Sequence, residues 1–322
     1  MKMLTFQYNY KEINSVENFN MFETLKEQWD ELHNINPTVF RYRLETLIEK
    51  VIGDYILQLN HDRGVKRRHP EKMTDICQPF DVNKFNFTKI SYDEIMFKFW
   101  DKDTAMNVHT VIVNVSPINR YHSLLCPFMY QMLPQIITLE SLKLAINIYS
   151  LIQDRDLRIA FNSLCALASV NHLHYHLVFQ KQTLLVEVVK CKNIKGPVWL
   201  MENYPIPGFC FDGNLENAAE NIFKLIGYFL KNSIAHNLFI TRGRSLNGEN
   251  EITRVFVWAR KSTSGAKQLA AFNVAALELA GFFAVYSEED YNNLEVNDLE
   301  RELAKWRLDN FDDLCKDVEA LF

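Results

Sequence analysis

Three histidines stand on alternate positions in the run Ser169-Val170-Asn171-His172-Leu173-His174-Tyr175-His176-Leu177-Val178-Phe179. Alternation at period two marks a strand, whose successive side chains point to opposite faces. His172, His174 and His176 would therefore share one face, and Leu173, Tyr175 and Leu177 the other, toward a core. Three imidazoles in a row are costly for a purely structural strand, because each needs a partner if buried and each titrates near neutral pH. Two chemistries use such a row. Zinc can be ligated by two histidines one residue apart. Alternatively, the middle imidazole attacks phosphorus while its neighbours orient it and manage protons. The flanks favour the second. Ser169, five residues before His174, offers a hydroxyl and nearby backbone N–H groups to phosphate oxygens. Zinc would more often have an acidic or sulfur ligand close by, and Cys165, ahead of the strand, is the only nearby candidate. Histidines capped by core hydrogen bonds are the remaining reading.

Mixed α and β elements must position this row. Leu139, Leu142, Ala145, Ile146, Tyr149 and Ile152 recur at helical intervals and predict a helix over 138–154, followed by strands over 158–164 and 170–180. Upstream, 20–60 reads as helix interrupted by Pro37, 61–78 as a basic loop, 85–100 as two strands around a turn near Ser91-Tyr92-Asp93, and 108–115 and 122–126 as strands. Downstream, 184–189, 236–241 and 254–259 read as strands, and 215–232 and 268–281 as helices, with Gly281 a plausible stop. The tail from 287 reads as charged and mostly helical. No Gly, Ser and Pro linker separates the halves, and the boundary is placed near 185, giving 1–185 and 186–322.

With 322 residues, 48% of them hydrophobic, the chain can build one large or two medium domains. Its net charge of −5 argues against a nucleic-acid or membrane-surface partner. A polyphosphate ligand would then need local positive charge. Three clusters offer it: 63–69, Arg242 with Arg244, and Arg260-Lys261 with Lys267. The six cysteines show no C-x-x-C spacing, which fits reduced thiols better than a disulfide framework. Neither a signal peptide nor a run of about 18 apolar residues is evident, so the expectation is a soluble, cytoplasmic protein. Oligomeric state is not legible.

The histidine run resembles the histidine-triad nucleotide hydrolases and transferases. Further blocks narrow the resemblance to the GDP-D-glucose phosphorylases and their plant relatives, the GDP-L-galactose phosphorylases. They are Phe161-Asn162-Ser163-Leu164 leading into Leu167-Ala168-Ser169; Gln78-Pro79-Phe80-Asp81 with Phe85-Asn86-Phe87-Thr88-Lys89-Ile90; Tyr204-Pro205-Ile206-Pro207-Gly208-Phe209; His236-Asn237-Leu238-Phe239-Ile240-Thr241-Arg242-Gly243; and Ala271-Phe272-Asn273-Val274-Ala275 with Glu278-Leu279-Ala280-Gly281. The matches run in order from about Phe40 to about Gly281.

The resemblance implies an α+β, histidine-triad-like fold of two similar halves, with mainly antiparallel sheets flanked by helices and no histidine row in the second half. It implies phosphorolysis of GDP-glucose by inorganic phosphate, without a cofactor or metal. His174 would be the nucleophile, His176 a phosphoryl or leaving-group contact, and His172 an orienting residue. Ser169 and Asn162 resemble phosphate contacts, Asn114 stands where a ribose-binding carboxylate is usual, and Phe87 and Lys89 resemble the strand beside the base. The second half would help hold phosphate through Arg242, Arg260 and Lys267. One departure stands out: Cys165-Ala166 occupy positions where relatives are expected to carry glycines, which permit positive φ and close approach to phosphate. Open alternatives are a hydrolase or transferase acting on another nucleoside diphosphate compound, or a nucleotide- or zinc-binding module without turnover.

Overall fold

A computed structural model describes residues 4–8, 20–67, 71–101, 107–152, 154–263 and 271–322. In the first half the strands are β1 (Leu4–Tyr8), β2 (Ile48–Ile52), β3 (Tyr55–Leu59), β4 (Ile95–Asp101), β5 (Val108–Val113), β6 (Ser123–Cys126), β7 (Leu157–Asn162) and β8 (Tyr175–Phe179). Its helices are α1 (Met21–Ile35), α2 (His61–Lys66) and α3 (Leu139–Leu151). The second half adds β9 (Cys191–Lys195), β10 (Val198–Met201), β11 (Phe209–Asp212), β12 (Ala235–Arg244), β13 (Glu251–Arg260) and β14 (Phe282–Val285). It also adds α4 (Leu185–Val188), α5 (Ala218–Lys231), α6 (Ala276–Leu279), α7 (Glu288–Asn293), α8 (Val296–Ala304) and α9 (Phe311–Leu321). Among the described residues, none of these helices is long and apolar enough to cross a membrane.

Eleven strands form one sheet in the order β1-β4-β5-β6-β8-β7-β12-β13-β11-β10-β9. All pairs in it are antiparallel except β1 with β4. The order is symmetric about the β7–β12 seam, since β7-β8-β6-β5-β4 is answered by β12-β13-β11-β10-β9. On one face, Phe161, Tyr175, Leu177, Leu238 and Val257 bury against α1, α3 and α5. On the other, Ala160, Val178, Phe239 and Trp258 pack against a small sheet, ordered β14-β3-β2, and the chain around α6. That second layer stops short of β4, β5 and β6, so the sheet surface there floors a cleft.

Several elements differ from those the sequence predicts. Residues 48–59 form a hairpin instead of a helix, because Gly53 takes φ +56° in a two-residue turn that matches strand twist. Val51, Ile52 and Ile56 are β-branched, and their spacing over one short window fits either period. Part of the predicted loop is α2, capped by the Asn60 side chain. The first strand expected over 85–100 is a 3₁₀ turn over Phe87–Lys89, begun by Asn86, whose Oδ1 accepts from Thr88 N–H. The strand expected over 184–189 is the single turn α4. Of the helix expected over 268–281, 268–270 lie outside the described residues, and only Ala276–Leu279 is helical, ended by Gly281 at φ +102°. The histidine strand begins at Tyr175, so only His176 of the three lies in regular ladder.

α4 turns inward because Glu187 is the buried acceptor at the seam. Its carboxylate meets Arg158 of β7, accepts from Thr241 Oγ1 of β12 at 2.6 Å and caps Leu184 N–H. Removing one member of a buried ion pair leaves the other charge without compensation. Glu187→Ala should therefore lower stability by about 3–5 kcal/mol, whereas the apolar pair Arg158→Met with Glu187→Leu should recover most of that loss. Urea unfolding of both variants checks the ordering.

Candidate active site

The floor of the cleft is a lateral row of paired residues, Ile112 on β5, Leu124 on β6 and His176 on β8, and the row continues beneath its end to the buried Ile95 on β4. Phe85, Phe87, Ile90 and Val170 wall this chamber, and Asn114, Ser169 and His174 open onto it. A second chamber adjoins it, lined by Asn162, His122 and, from the second half, Asn273, Glu278 and Tyr286. Arg63, Arg67, Ser169 and His176 line both.

The three histidines form the predicted row, although two of them precede the strand. Ring centroids are 5.2 Å apart for His174 and His176, and Phe87 packs on both His172 (5.5 Å, stacked) and His174 (5.0 Å, edge-on). Their hydrogen bonds divide the roles. His172 accepts from Phe87 N–H on Nδ1 (3.1 Å) and donates from Nε2 to the Met129 carbonyl (3.0 Å). Both its nitrogens are engaged, so it offers no lone pair to phosphorus or metal. His174 donates from Nδ1 to the His172 carbonyl at 2.7 Å, which leaves its lone pair on Nε2. Burial holds both rings down to about 4, so both are neutral at pH 7.

His176 meets a fourth histidine. His122 Nε2 lies 3.1 Å from His176 Nδ1, while His122 Nδ1 accepts from Ile118 N–H. Accepting there places the His122 proton on Nε2, directed at His176 Nδ1, and so leaves the His176 proton on Nε2. Burial, with the neighbouring Arg63 charge, pushes His122 well below the usual imidazole range. A neutral acceptor at His174 therefore stands beside an N–H donor at His176, the arrangement nucleophilic attack at phosphorus needs.

A glutamine holds the row in place. Gln135, almost wholly buried, accepts from His174 N–H at 2.8 Å and donates to the carbonyls of His174 and Asn162. Asn171 accepts from Gln135 N–H and donates to the carbonyls of Gln78 and Pro79. The preceding loop takes left-handed backbone at Cys165 (φ +60°) and Leu167 (φ +75°), without glycine. Bonds to the Cys165 carbonyl from Thr263 N–H (2.8 Å) and Oγ1 (3.0 Å) hold it there.

The other predicted residues divide. Ser169 and Phe87 line the cleft. Asn162 lines the second chamber, with its Oδ1 accepting from Asn237 Nδ2 and Ala276 N–H. Asn114 turns Oδ1 to Ser116 N–H, and its Nδ2 lies 3.0 Å from His122 Nε2, where two donors meet once His122 carries its proton there. Three others do not line either chamber. Lys89 points away, its ammonium on the Lys84 carbonyl. Arg242 lines a separate groove and packs over Tyr149, because its register on β12 turns it to the helix-covered face. Arg260 is buried behind the loop on the Val274 carbonyl and over Trp306. Lys267 lies outside the described residues. The cleft's cations are Arg63 and Arg67, from the 63–69 cluster, and Arg41. His122 and Gln135 went unread because neither belongs to a row or a repeat.

The fold and this row define a histidine-triad-type protein. Two solved structures share the fold: yeast Ap4A phosphorylase Apa2 in complex with AMP (12% identity, TM-score 0.63, covering 90% of this chain and 98% of that one) and in complex with Ap4A (11%, 0.62, 90% and 97%). Family models described as GDPGP1-like, N-terminal domain and GDPGP1-like, C-terminal domain match residues 20–178 and 179–320. The chain is 34% identical to GDP-D-glucose phosphorylase 1 of Xenopus laevis over 322 residues (84% of this chain, 80% of that one) and 36% identical to that of Homo sapiens over 276 (80% and 72%). It is 31% identical to GDP-L-galactose phosphorylase 2 of Arabidopsis thaliana over 303 residues (84% and 68%). The chain belongs to the GDPGP1-like family, that of the GDP-D-glucose phosphorylases.

Two predictions follow from this geometry. Unfolded imidazoles titrate near 6.5. Below that pH the unfolded chain takes up protons that folded His172, His174 and His236 refuse until about pH 4. Their contribution is thus complete above pH 6.5 and is lost as pH falls toward 4, at about 1.4 kcal/mol per unit per histidine. Urea midpoints at pH 7.5, 6.5 and 5.5 should fall accordingly, and a flat profile would contradict neutral buried rings. Separately, Gln135→Leu should cost about 3 kcal/mol, since three buried backbone groups lose a partner. It should also lower kcat, read beside a urea titration of the same sample.

Proposed function

We propose that this chain is a GDP-D-glucose phosphorylase acting through a covalent guanylyl-histidine. His174 Nε2 attacks the α-phosphorus of GDP-glucose, the bond from that phosphorus to the bridging oxygen breaks, and glucose 1-phosphate leaves. Inorganic phosphate then attacks the same phosphorus, the P–N bond breaks, and GDP leaves with His174 restored. Two in-line displacements replace one difficult exchange. The observation that carries this reading is the His174 Nδ1–H bond to the His172 carbonyl, which aims a neutral Nε2 into the cleft.

His176, with its proton on Nε2, hydrogen-bonds a phosphoryl oxygen or the departing phosphate. Arg63 and Arg67, shared by both chambers, supply the positive charge a diphosphate requires, and arginine's fork suits its oxygens. Ser169 lies between the chambers and binds the transferred phosphoryl group. We assign the chemistry to 1–185 and the far wall of the phosphate and hexose chamber to 186–322, which contributes Asn273, Glu278 and Tyr286. The protein works in the cytoplasm on small molecules, without metal or cofactor.

GDP-glucose labelled at the α-phosphate should label the protein when phosphate is absent, through an acid-labile, base-stable bond. Adding phosphate should release the label as GDP, and adding glucose 1-phosphate should return GDP-glucose. His174→Ala should lose roughly 10⁴-fold or more in rate, as expected for a nucleophile. Turnover without label, or a tenth of the rate surviving in His174→Ala, would defeat the assignment. His176→Gln should be milder, since an amide still donates to a phosphoryl oxygen.

A further inference from the structure

The apolar chamber ends on an acid. Adjacent strands lie about 4.8 Å apart, so two steps from His176 through Leu124 carry the floor about 10 Å to Ile112, whose partner on the next strand, Ile95, follows Glu94 in the chain. A nucleoside whose phosphorus sits at His174 brings its base along this floor, beside Phe85 and Phe87, to the far end. There stands Glu94, the one carboxylate lining this chamber among the described residues. It is half-buried, and its position is fixed: Oε1 accepts from Ser91 N–H at 3.0 Å, closing a capping box on the turn Tyr92–Glu94. A carboxylate carries about four acceptor sites and no donor. One bond to Ser91 therefore leaves it able to accept two more.

We propose that Glu94 is the residue that selects guanine. Guanine presents two adjacent donors, N1–H and the N2 amino group, which suit a carboxylate. Adenine presents a donor at N6 and a bare acceptor at N1, and that lone pair would face a negative oxygen. Arg63 and Arg67 line both chambers with His176, so they serve the phosphates and leave Glu94 as the acid at the base end. The inference rests on the nucleotide placement proposed above, and it names the group that reads the base.

Glu94→Gln is the discriminating variant. Glutamine serves equally at this position of a capping box, so the turn is kept while one acceptor becomes a donor. Affinities for GDP, IDP and ADP should be measured by calorimetry on the full chain, with phosphorolysis of GDP-glucose and ADP-glucose alongside. The wild type should prefer GDP over ADP by about tenfold or more, with IDP, which lacks the N2 amino group, in between. In Glu94→Gln, GDP affinity should fall by about tenfold while ADP affinity holds or rises, so that the ratio collapses. Glu94→Asp keeps the charge but shortens the reach, and should also lose GDP affinity. An unchanged GDP to ADP ratio in both variants, or no base preference in the wild type, would overturn the proposal. Selective GDP binding lost in Glu94→Gln, without turnover in the wild type, would sustain Glu94 and defeat phosphorolysis. Turnover of GDP-glucose with unaltered selectivity would do the reverse.

Discussion

The hydrogen bond from His174 Nδ1 to the His172 carbonyl sets the constraint that the surrounding site serves. An imidazole has two nitrogens and, when neutral, one proton, so fixing that proton fixes the nucleophilic atom. The bond works only if His172 cannot turn and the ring stays neutral. The first condition is met by the two hydrogen bonds of His172 to Phe87 N–H and the Met129 carbonyl, and by the stacked Phe87 ring. The second is met by burial, which makes a charged ring costly. The His174 ring and its support are therefore one construction. The 3₁₀ turn at Phe87–Lys89 belongs to it, because a strand there would send the Phe87 N–H into a ladder and away from His172.

Much of the site was legible in the sequence because period-two spacing maps directly onto one face of an extended chain. The row keeps that mapping even where the ladder fails, at His172 and His174, since bends of extended residues still alternate. Leu173, Tyr175 and Leu177 enter the helix-side core as the same alternation requires. The backbone acceptor expected for the second nitrogen of His174 is present. What the sequence hid is what depends on contacts distant along the chain. Gln135 reaches His174 across 39 residues, His122 reaches His176 across 54, and a lone polar residue in a loop carries no period. The basic clusters illustrate the same limit. Composition called for local positive charge, and three clusters looked equivalent until the register turned Arg242 to the helix face and buried Arg260.

The loop at Cys165 and Leu167 shows a constraint met without its usual residue. Left-handed backbone costs an L-residue about 1–2 kcal/mol, which glycine avoids. Here the surroundings enforce the conformation. Thr263 binds the Cys165 carbonyl twice, Asn237 Nδ2 donates to the Ala166 carbonyl at 2.9 Å, and the Ser163 carbonyl receives both Ala166 and Ala168 N–H. Small side chains at 165 and 166 let these bonds form in a buried position. The loop delivers Ser169 to the junction of the two chambers despite the strain.

The symmetry of the sheet shows why the histidine-lined cleft opens on the first half. Ala160 pairs with His176 on one side and with Phe239 across the seam, and Phe239 pairs with Phe256. A two-fold axis through the Ala160–Phe239 pair therefore sets Phe256 opposite His176, Arg254 opposite His174 and Thr241 opposite Asn162. Arg254 is buried, with Nη1 on the carbonyls of Val186 (3.1 Å) and Val189 (2.8 Å) and Nε on that of Arg244. Thr241 is held by Glu187. The segment around α4 thus fills the place where a second cleft would open, and its polar groups are satisfied by Arg254 and Thr241, which stand opposite His174 and Asn162. A guanidinium bound to three carbonyls is neither a nucleophile nor accessible. The second half instead supplies α6 and β14 as a wall of the chamber beside the histidine row, so a single composite cleft replaces two symmetric ones.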